Sequence, residues 1–371
     1  MTPKKLIALT IAAAVLVVLA YFSSSSRKVK TPSQVGKPVL PQVDLSEVAR
    51  IETGLPNSPK LVIESTDSGW VIKSLFGYPA DITKIRANLL ALKDLKVGHV
   101  ASGKTLNDPI LVDLQNASGK SLAALRLGDK HMRQPTGEMA QFGGGGYSSG
   151  RYVSAGGSDT VMLVKETLDA FDGDPKSWTE TQISSIPSSD VTAIELTSQD
   201  KTLKLQKKDG QWALEGLGEK EEFDTSKSYS LESALSYLNF NNIIDPALSE
   251  EELGMTTGSV FKISLKNGES YTAKIGKAID GTDKAFRISA AFTPTGTNET
   301  ENAEITKKVE EFNAKAAKWT YAISSYSADN MTKKRADLVK AKEEPKKEEK
   351  EEESKTEEVK KEEAEKDEAK K

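Results

Sequence analysis

Val48-Ala49-Arg50-Ile51-Glu52 and Val191-Thr192-Ala193-Ile194-Glu195 are two versions of one phrase, 143 residues apart. The same succession continues after each. Leu61-Val62-Ile63 and Leu203-Lys204-Leu205 come next, then Gly69-Trp70-Val71 and Gln211-Trp212-Ala213. Ala80-Asp81 and Phe223-Asp224 then return at the same spacing. Self-similarity at a long fixed period reads as a repeated structural unit. The phrases themselves alternate apolar and polar residues, the pattern of a half-buried strand.

Behind each Asp the period changes. Ile82, Ile85, Leu89, Leu92 and Leu95 recur at helical spacing, and so do Leu231, Leu235 and Leu238. Asp81 and Asp224 are natural N-caps, because a carboxylate there accepts from the free amides of the first turn. Strand patterns then resume at 110–114 and 122–127, and in the second copy at 260–265 and 271–275. Lys266-Asn267-Gly268 between two alternating runs is a hairpin signal. Leu127-Gly128 matches Ile275-Gly276, and Val153-Ser154-Ala155 matches Ile288-Ser289-Ala290.

Each copy therefore predicts β-β-β-α-β-β-β. The fold class is α+β: a tandem repeat with antiparallel sheets, a transmembrane helix before it and a charged tail after it. The first repeat is expected over 43–164, a connector over 165–185 and the second repeat over 186–330. Trp70 and Trp212 read as core residues under the helix of each copy. The connector predicts a short helix at 166–171 and a turn at Asp172-Gly173-Asp174-Pro175. A further helix is expected from Ile305 to about Ala317, and another over 331–339.

The two ends differ from this body. An apolar run at 6–22, from Leu6 to Phe22, follows Lys4 and Lys5 and is broken only by Thr10. As a helix it spans roughly 26 Å at about 1.5 Å per residue, close to a bilayer core of about 30 Å. Residues 1–22 thus read as an anchor, or as a cleaved signal with Val18-Leu19-Ala20 at its end. The short basic amino end is expected in the cytoplasm, although Arg27, Lys28 and Lys30 nearly balance it. That places the chain at the cytoplasmic membrane of a bacterium, single-pass, with its bulk extracytoplasmic or periplasmic. Residues 23–42, with Ser, Lys, Pro and Gly, read as a linker holding the folded part off the membrane. Residues 331–371 read as a helical to disordered Glu/Lys-rich tail.

From Ala341 onward there are 14 acidic residues and 10 lysines, a net of −4. That equals the charge of the whole chain, so the body is near neutral. A neutral body with no recognition motif speaks against a nucleic-acid binder. With no Cys at all, a lipid-modified cysteine, disulfides and Cys-ligated metal are excluded.

Candidate sites are few. His99 and His131 are the only histidines and have no ligand-spaced partners, so they read as structural. Asp172 and Asp174 flank Gly173 as in a calcium loop, but Trp178 and Thr179 occupy later ligand positions, so this reads as a turn. Gly143-Gly144-Gly145-Gly146, with Tyr147 and Tyr152 beside it, is a flexible backbone stretch suited to close approach. Residues 294–304 form the corresponding insertion in the second copy. No catalytic, cofactor-binding or metal residue is assigned, and no cofactor is expected.

The order of features resembles a bacterial family known as domain of unknown function 4340. The resemblance rests on the apolar amino-terminal helix, the strand–Trp–strand unit, Pro79-Ala80-Asp81 before a helix, Leu127-Gly128, Tyr152-Val153 and the repeat of the series. It covers roughly 43–330. It implies a membrane-anchored accessory protein, as met beside ABC transporter components of the gliding-motility type. Lys176-Ser177-Trp178-Thr179 departs from the family pattern, where an acidic-Arg step is more usual. The expected function is a non-enzymatic accessory or scaffold subunit that binds an envelope partner protein. The alternatives are a module for cell-wall glycan or a small solute, using the Gly143-Gly146 loop, and, more remotely, a hydrolase whose acid pair is hidden among 55 acidic residues.

Overall fold

A computed structural model of the chain describes residues 34–40, 43–134, 146–199 and 201–342. The apolar run at 6–22 and the Glu/Lys run at 343–371 lie outside the described residues. Among the described residues no helix is long and apolar enough to cross a membrane. The chain divides into two compact units, Met1–Glu180 and Thr181–Lys371.

In the first unit, β1 (Arg50–Gly54), β2 (Leu61–Thr66), β3 (Gly69–Ile72) and β4 (Tyr78–Pro79) lead into α1 (Ile82–Lys93). β5 (His99–Val100), β6 (Ile110–Gln115), β7 (Ser121–Arg133), β8 (Tyr147–Ala155) and β9 (Met162–Val164) follow. They form one antiparallel sheet in the order β4-β3-β2-β1-β6-β7-β8-β9-β5. β1 is central, with Ile51 opposite Ile63 on one side and Leu114 on the other. Period-two alternation buries these three residues with Val112, Leu125, Leu127 and Val153 on one face. The other positions of β1 carry charge: Arg50 bonds Glu52 and, across the ladder, Glu64 at 2.9 Å.

Asp81 caps α1 as its position predicts, accepting from the amides of Thr83 and Lys84. Ile85, Leu89 and Leu92 are buried beneath the helix with Leu95 just beyond it, whereas Ile82 stays exposed. Trp70 is only half-buried.

In the second unit the elements are β10 (Gln182–Ser184), β11 (Val191–Ser198), β12 (Lys201–Lys208), β13 (Gln211–Leu214), β14 (Glu221–Phe223) and α2 (Ser228–Glu232). β15 (Leu238–Asn239), β16 (Asn242–Ile243), β17 (Ser259–Leu265), β18 (Glu269–Ile279) and β19 (Asp283–Phe292) come next. α3 (Glu299–Ala316), β20 (Tyr321–Ser324), α4 (Ser325–Met331), α5 (Arg335–Leu338) and β21 (Val339–Ala341) complete it. The main sheet runs β13-β12-β11-β17-β18-β19-β20-β16, with small pairs β10-β15 and β14-β21. β11 lies between β12 and β17, as β1 lies between β2 and β6. The hairpin from β17 to β18 turns at Gly268, whose φ of +89° suits glycine.

Several local expectations are corrected. The second helix is much shorter than Leu231, Leu235 and Leu238 suggest. It stops at Glu232, where the Ser233 hydroxyl donates to the Tyr229 carbonyl at 2.5 Å, and Leu238 belongs to β15. All three leucines are still buried. Asp224 caps a 3-10 turn, Thr225–Lys227, ahead of it. The helix expected at 166–171 is replaced by 3-10 turns at Asp169–Asp172 and Pro175–Trp178, because Leu168 adopts a left-handed conformation. α3 begins at Glu299, capped by Asn298, so most of the expected insertion at 294–304 is helix.

The linker expected over 23–42 is folded in its described part. Val39 and Leu40 are buried, and the chain at 36–39 bonds the backbone of Leu95 and Val97. The region from 331 is not a plain tail either, since β21 pairs with β14 through Ala341.

Candidate functional site

A concavity of about 540 Å³ in the second unit is built where α2 and the turn after it meet α4 and the segment following β10. Its rim carries Tyr229 from α2, Tyr237 from the turn and Tyr326 from α4. They are 72%, 80% and 80% exposed. Burying rings normally stabilises a fold, so three tyrosines left this exposed around one hollow are an exception.

Local bonding sets the floor. The Ser184 hydroxyl and the Ile186 amide both donate to the Leu235 carbonyl, at 2.8 and 3.2 Å. That ties the 184–189 segment to the turn carrying Tyr237, with Leu238 buried below. α2 packs against α4, which puts Tyr326 and Tyr229 on one hollow. The hydroxyls of Ser230 and Ser233 donate back to Lys227 and Tyr229 carbonyls. Each keeps acceptor lone pairs toward the hollow. The Ser327 hydroxyl pairs with Ser324 at 3.0 Å. Ser236 also lines the hollow, with its Oγ buried and without a hydrogen-bond partner among the described residues.

The lining holds seven serines, three tyrosines and Asn330, with no Lys, Arg, Asp or Glu. In a chain that is 29% charged this is a locally neutral, hydroxyl-rich surface. It offers stacking faces and hydrogen bonds but no acid–base pair.

The residues singled out in the sequence lie elsewhere. Gly143, Gly144 and Gly145 are outside the described residues. Gly150, at the far end of that stretch, lies in β8, where a Cβ would lie 2.2 Å from the Val164 carbonyl oxygen, so the position needs glycine. Tyr152 is engaged: its hydroxyl lies 3.4 Å from His131 Nδ1, and Lys104 Nζ is 4.2 Å from its ring centre. His99 sits in β5, away from His131 in β7. Asp172 and Asp174 do not converge: Asp172 bonds Arg151 and Lys130, while Asp174 caps the next turn through the Lys176 amide. Among the described residues no cluster of three or more His, Asp or Glu could hold a metal ion.

The sequence reading passed over this groove. Its signal is the pair of triplets Ser228-Tyr229-Ser230 and Ser325-Tyr326-Ser327 with Ser236-Tyr237. Lys176-Ser177-Trp178-Thr179, which departs from the family pattern, is structural. Trp178 is fully buried, donates to the Ala170 carbonyl at 2.9 Å and meets Phe171 edge-on at 5.1 Å. Its own carbonyl accepts from the Asp81 amide, and Thr179 bonds Pro79 and Lys84. The segment fastens the start of α1.

Fold and groove together define an α+β protein of antiparallel sheets whose second unit carries an uncharged, tyrosine-rimmed hollow. The profile of the family described as domain of unknown function 4340 matches residues 70–258, about half of the chain, and the chain belongs to that family. No curated protein and no solved structure matches it.

Proposed function

We propose that the chain is a non-enzymatic, membrane-anchored extracytoplasmic protein that works by binding. It serves as an accessory or scaffold subunit of an envelope complex such as a gliding-motility-type ABC transport system. The observation that carries the binding reading is the tyrosine-rimmed groove, whose lining holds contact groups and no charged residue. Exposed tyrosines give large contact area at low entropic cost. The apolar run at 6–22 supports the anchor.

A chain without cysteine permits a clean topology test. Ser68→Cys, on an exposed turn, should react with a membrane-impermeant maleimide in intact spheroplasts, and Thr2→Cys only after lysis. The reverse pattern would refute the extracytoplasmic placement. Purification in mild detergent should bring down stoichiometric membrane partners, and a protein that always emerges alone would refute the subunit reading. Transporter permease and ATPase genes beside this one would add independent support.

The two units are, in this proposal, copies of one β-β-β-α-β-β-β unit. The corresponding strand orders around β1 and β11 support it, as does glycine at matched positions of β7 and β18. A Cβ at Gly128 would crowd Leu106, and one at Gly276 would lie 2.2 Å from the Leu253 carbonyl oxygen. An experimental structure in which β1-β2-β3-α1-β6-β7-β8 fails to superpose on the second unit would refute it.

A further inference from the structure

The groove on the second unit takes, we propose, a neutral saccharide chain. This rests on the binding reading above and names the chemistry of what is bound. Three observations point the same way.

The first is charge. No ionisable acid or base other than tyrosine lines the groove, so nothing there neutralises a phosphate, a carboxylate or a lysine. A charged guest would lose its hydration without a counter-charge. The second is the kind of polar group present. Serine is the commonest lining residue, and Trp, Phe, Met and Arg, which accompany tyrosine at protein–protein interfaces in general, do not line the groove. Hydroxyls and one amide match a guest whose own surface is made of hydroxyls: Ser230 and Ser233, whose protons are committed to carbonyls, can accept, and the Asn330 amide can donate and accept.

The third is the arrangement of the rings. Tyr229, Tyr237 and Tyr326 come from three different segments and all remain exposed at one rim. The C–H face of a pyranose ring is apolar with slightly positive hydrogens, and it stacks on the negative face of an aromatic ring. Its equatorial hydroxyls then reach sideways to Ser230, Ser233, Ser327 or Asn330. The volume, about 540 Å³, lies within the range of ligand sites, roughly 300–1,000 Å³.

The full-length protein in a detergent without a sugar headgroup should be titrated with a tetramer of β-1,4-linked N-acetylglucosamine and with cellotetraose. Saturation-transfer NMR should show protein contact at the sugar ring protons. Calorimetry should give saturable binding to at least one oligomer. Y237A or Y326A should weaken that binding about tenfold through the loss of one stacking ring, while Y237F should stay close to wild type. Rings this exposed can be truncated without unfolding the unit, which circular dichroism would check.

Absence of saturation transfer with both oligomers would overturn the proposal. So would binding that Y237A and Y326A leave unchanged, or a groove that these variants empty of a co-purifying polypeptide and not of sugar. The envelope reading fails separately. If maleimide labelling puts the bulk in the cytoplasm while the tetramer still binds through Tyr237, the placement is wrong and the groove assignment stands.

Discussion

Lys308 Nζ, on α3, lies 2.7 Å from Oε1 of Glu269, the first residue of β18. The glutamate side chain is 1% exposed and the lysine 62%, so a solvated ammonium reaches in to a buried carboxylate. Tyr271 donates its hydroxyl to the other oxygen, Asn267 donates to Oε1, and Tyr271 also packs edge-on against Phe312 of α3. This cluster fastens α3 to the sheet.

Its pH dependence has a definite sign. Burial alone would push the Glu269 carboxyl up, but the donors from Lys308, Tyr271 and Asn267 outweigh it and hold it below its usual value. Burial and the neighbouring carboxylate push the Tyr271 hydroxyl up. A carboxyl with a lowered folded-state pKa stabilises the fold above its unfolded value, and that contribution is lost as pH falls through the folded value. Urea midpoints of wild type and Glu269→Gln should therefore converge on acidification below the ordinary glutamate value of 4.5. Curves that stay parallel would exclude the cluster as an acid-sensitive tie. Lys308→Ala should cost about 1 kcal/mol, because Tyr271 and Asn267 remain.

Trp178 is the second prediction. Its ring fills the space beside Phe171, and its carbonyl and the Thr179 hydroxyl hold the 79–81 stretch before α1. Trp178→Ala should destabilise the first unit by about 3–5 kcal/mol through the cavity it leaves. Trp178→Phe should cost less, losing chiefly the bond to Ala170. Hydrogen exchange should show α1 amides opening faster in the alanine variant; unchanged α1 protection would mean that the segment is not its fastening.

What was legible in the sequence follows from the range of the forces involved. Asp81 as a cap, the Asn267-Gly268 turn and the alternation of β1 and β11 are set by neighbours a few residues away, and pattern reading reached them. α2 was overextended because Leu231, Leu235 and Leu238 are all buried, yet by different means. The first lies on a helix and the last in a strand paired with β10. Periodicity counts apolar positions and cannot tell these apart. The groove is a tertiary product: Tyr229 and Tyr326 are distant in the chain and share one hollow only because α2 packs on α4. Local pattern gives no weight to serine and tyrosine that a strand or helix does not need. Trp178 was passed over for a similar reason, since its partners Ala170, Phe171 and Asp81 lie in 3-10 turns and at a helix start without periodicity.

Gly276 supplies the third prediction. A Cβ at this position of β18 would lie 2.2 Å from the Leu253 carbonyl oxygen and 3.2 Å from the Ala285 methyl. The obstructing atom is backbone, so it cannot rotate away. Gly276→Ala should displace the 253–255 turn and cost about 2–3 kcal/mol, in the range of overpacked cores. Gly281→Ala is the contrast. Nothing lies within 4 Å of its Cβ, and only its φ of +81° opposes the change, about 1 kcal/mol. Equal thermal shifts for the two variants would show that close approach at Gly276 is not what selects glycine.

The last prediction concerns Arg151, which is 4% exposed in β8. Its Nε donates to the Gly128 carbonyl and its Nη1 to the Thr167 carbonyl and to Asp172 Oδ1, the last at 2.5 Å. Asp172 also takes Lys130 Nζ at 2.8 Å, and that ammonium reaches Asp169. Lys130 accordingly holds its proton more tightly than an ordinary lysine, through Asp169 first and Asp172 second. The Thr53 hydroxyl donates to the Phe171 carbonyl at 2.6 Å, fixing the same 3-10 turn against β1. Asp172→Ala strands a buried guanidinium with carbonyl partners alone and should cost about 3 kcal/mol. Arg151→Met removes the charge and keeps most of the volume, so the double variant should be less destabilised than the sum of the two single ones. A urea double-mutant cycle measures this. A coupling near zero would mean that Arg151 is held by its carbonyl partners and that Asp172 serves only Lys130.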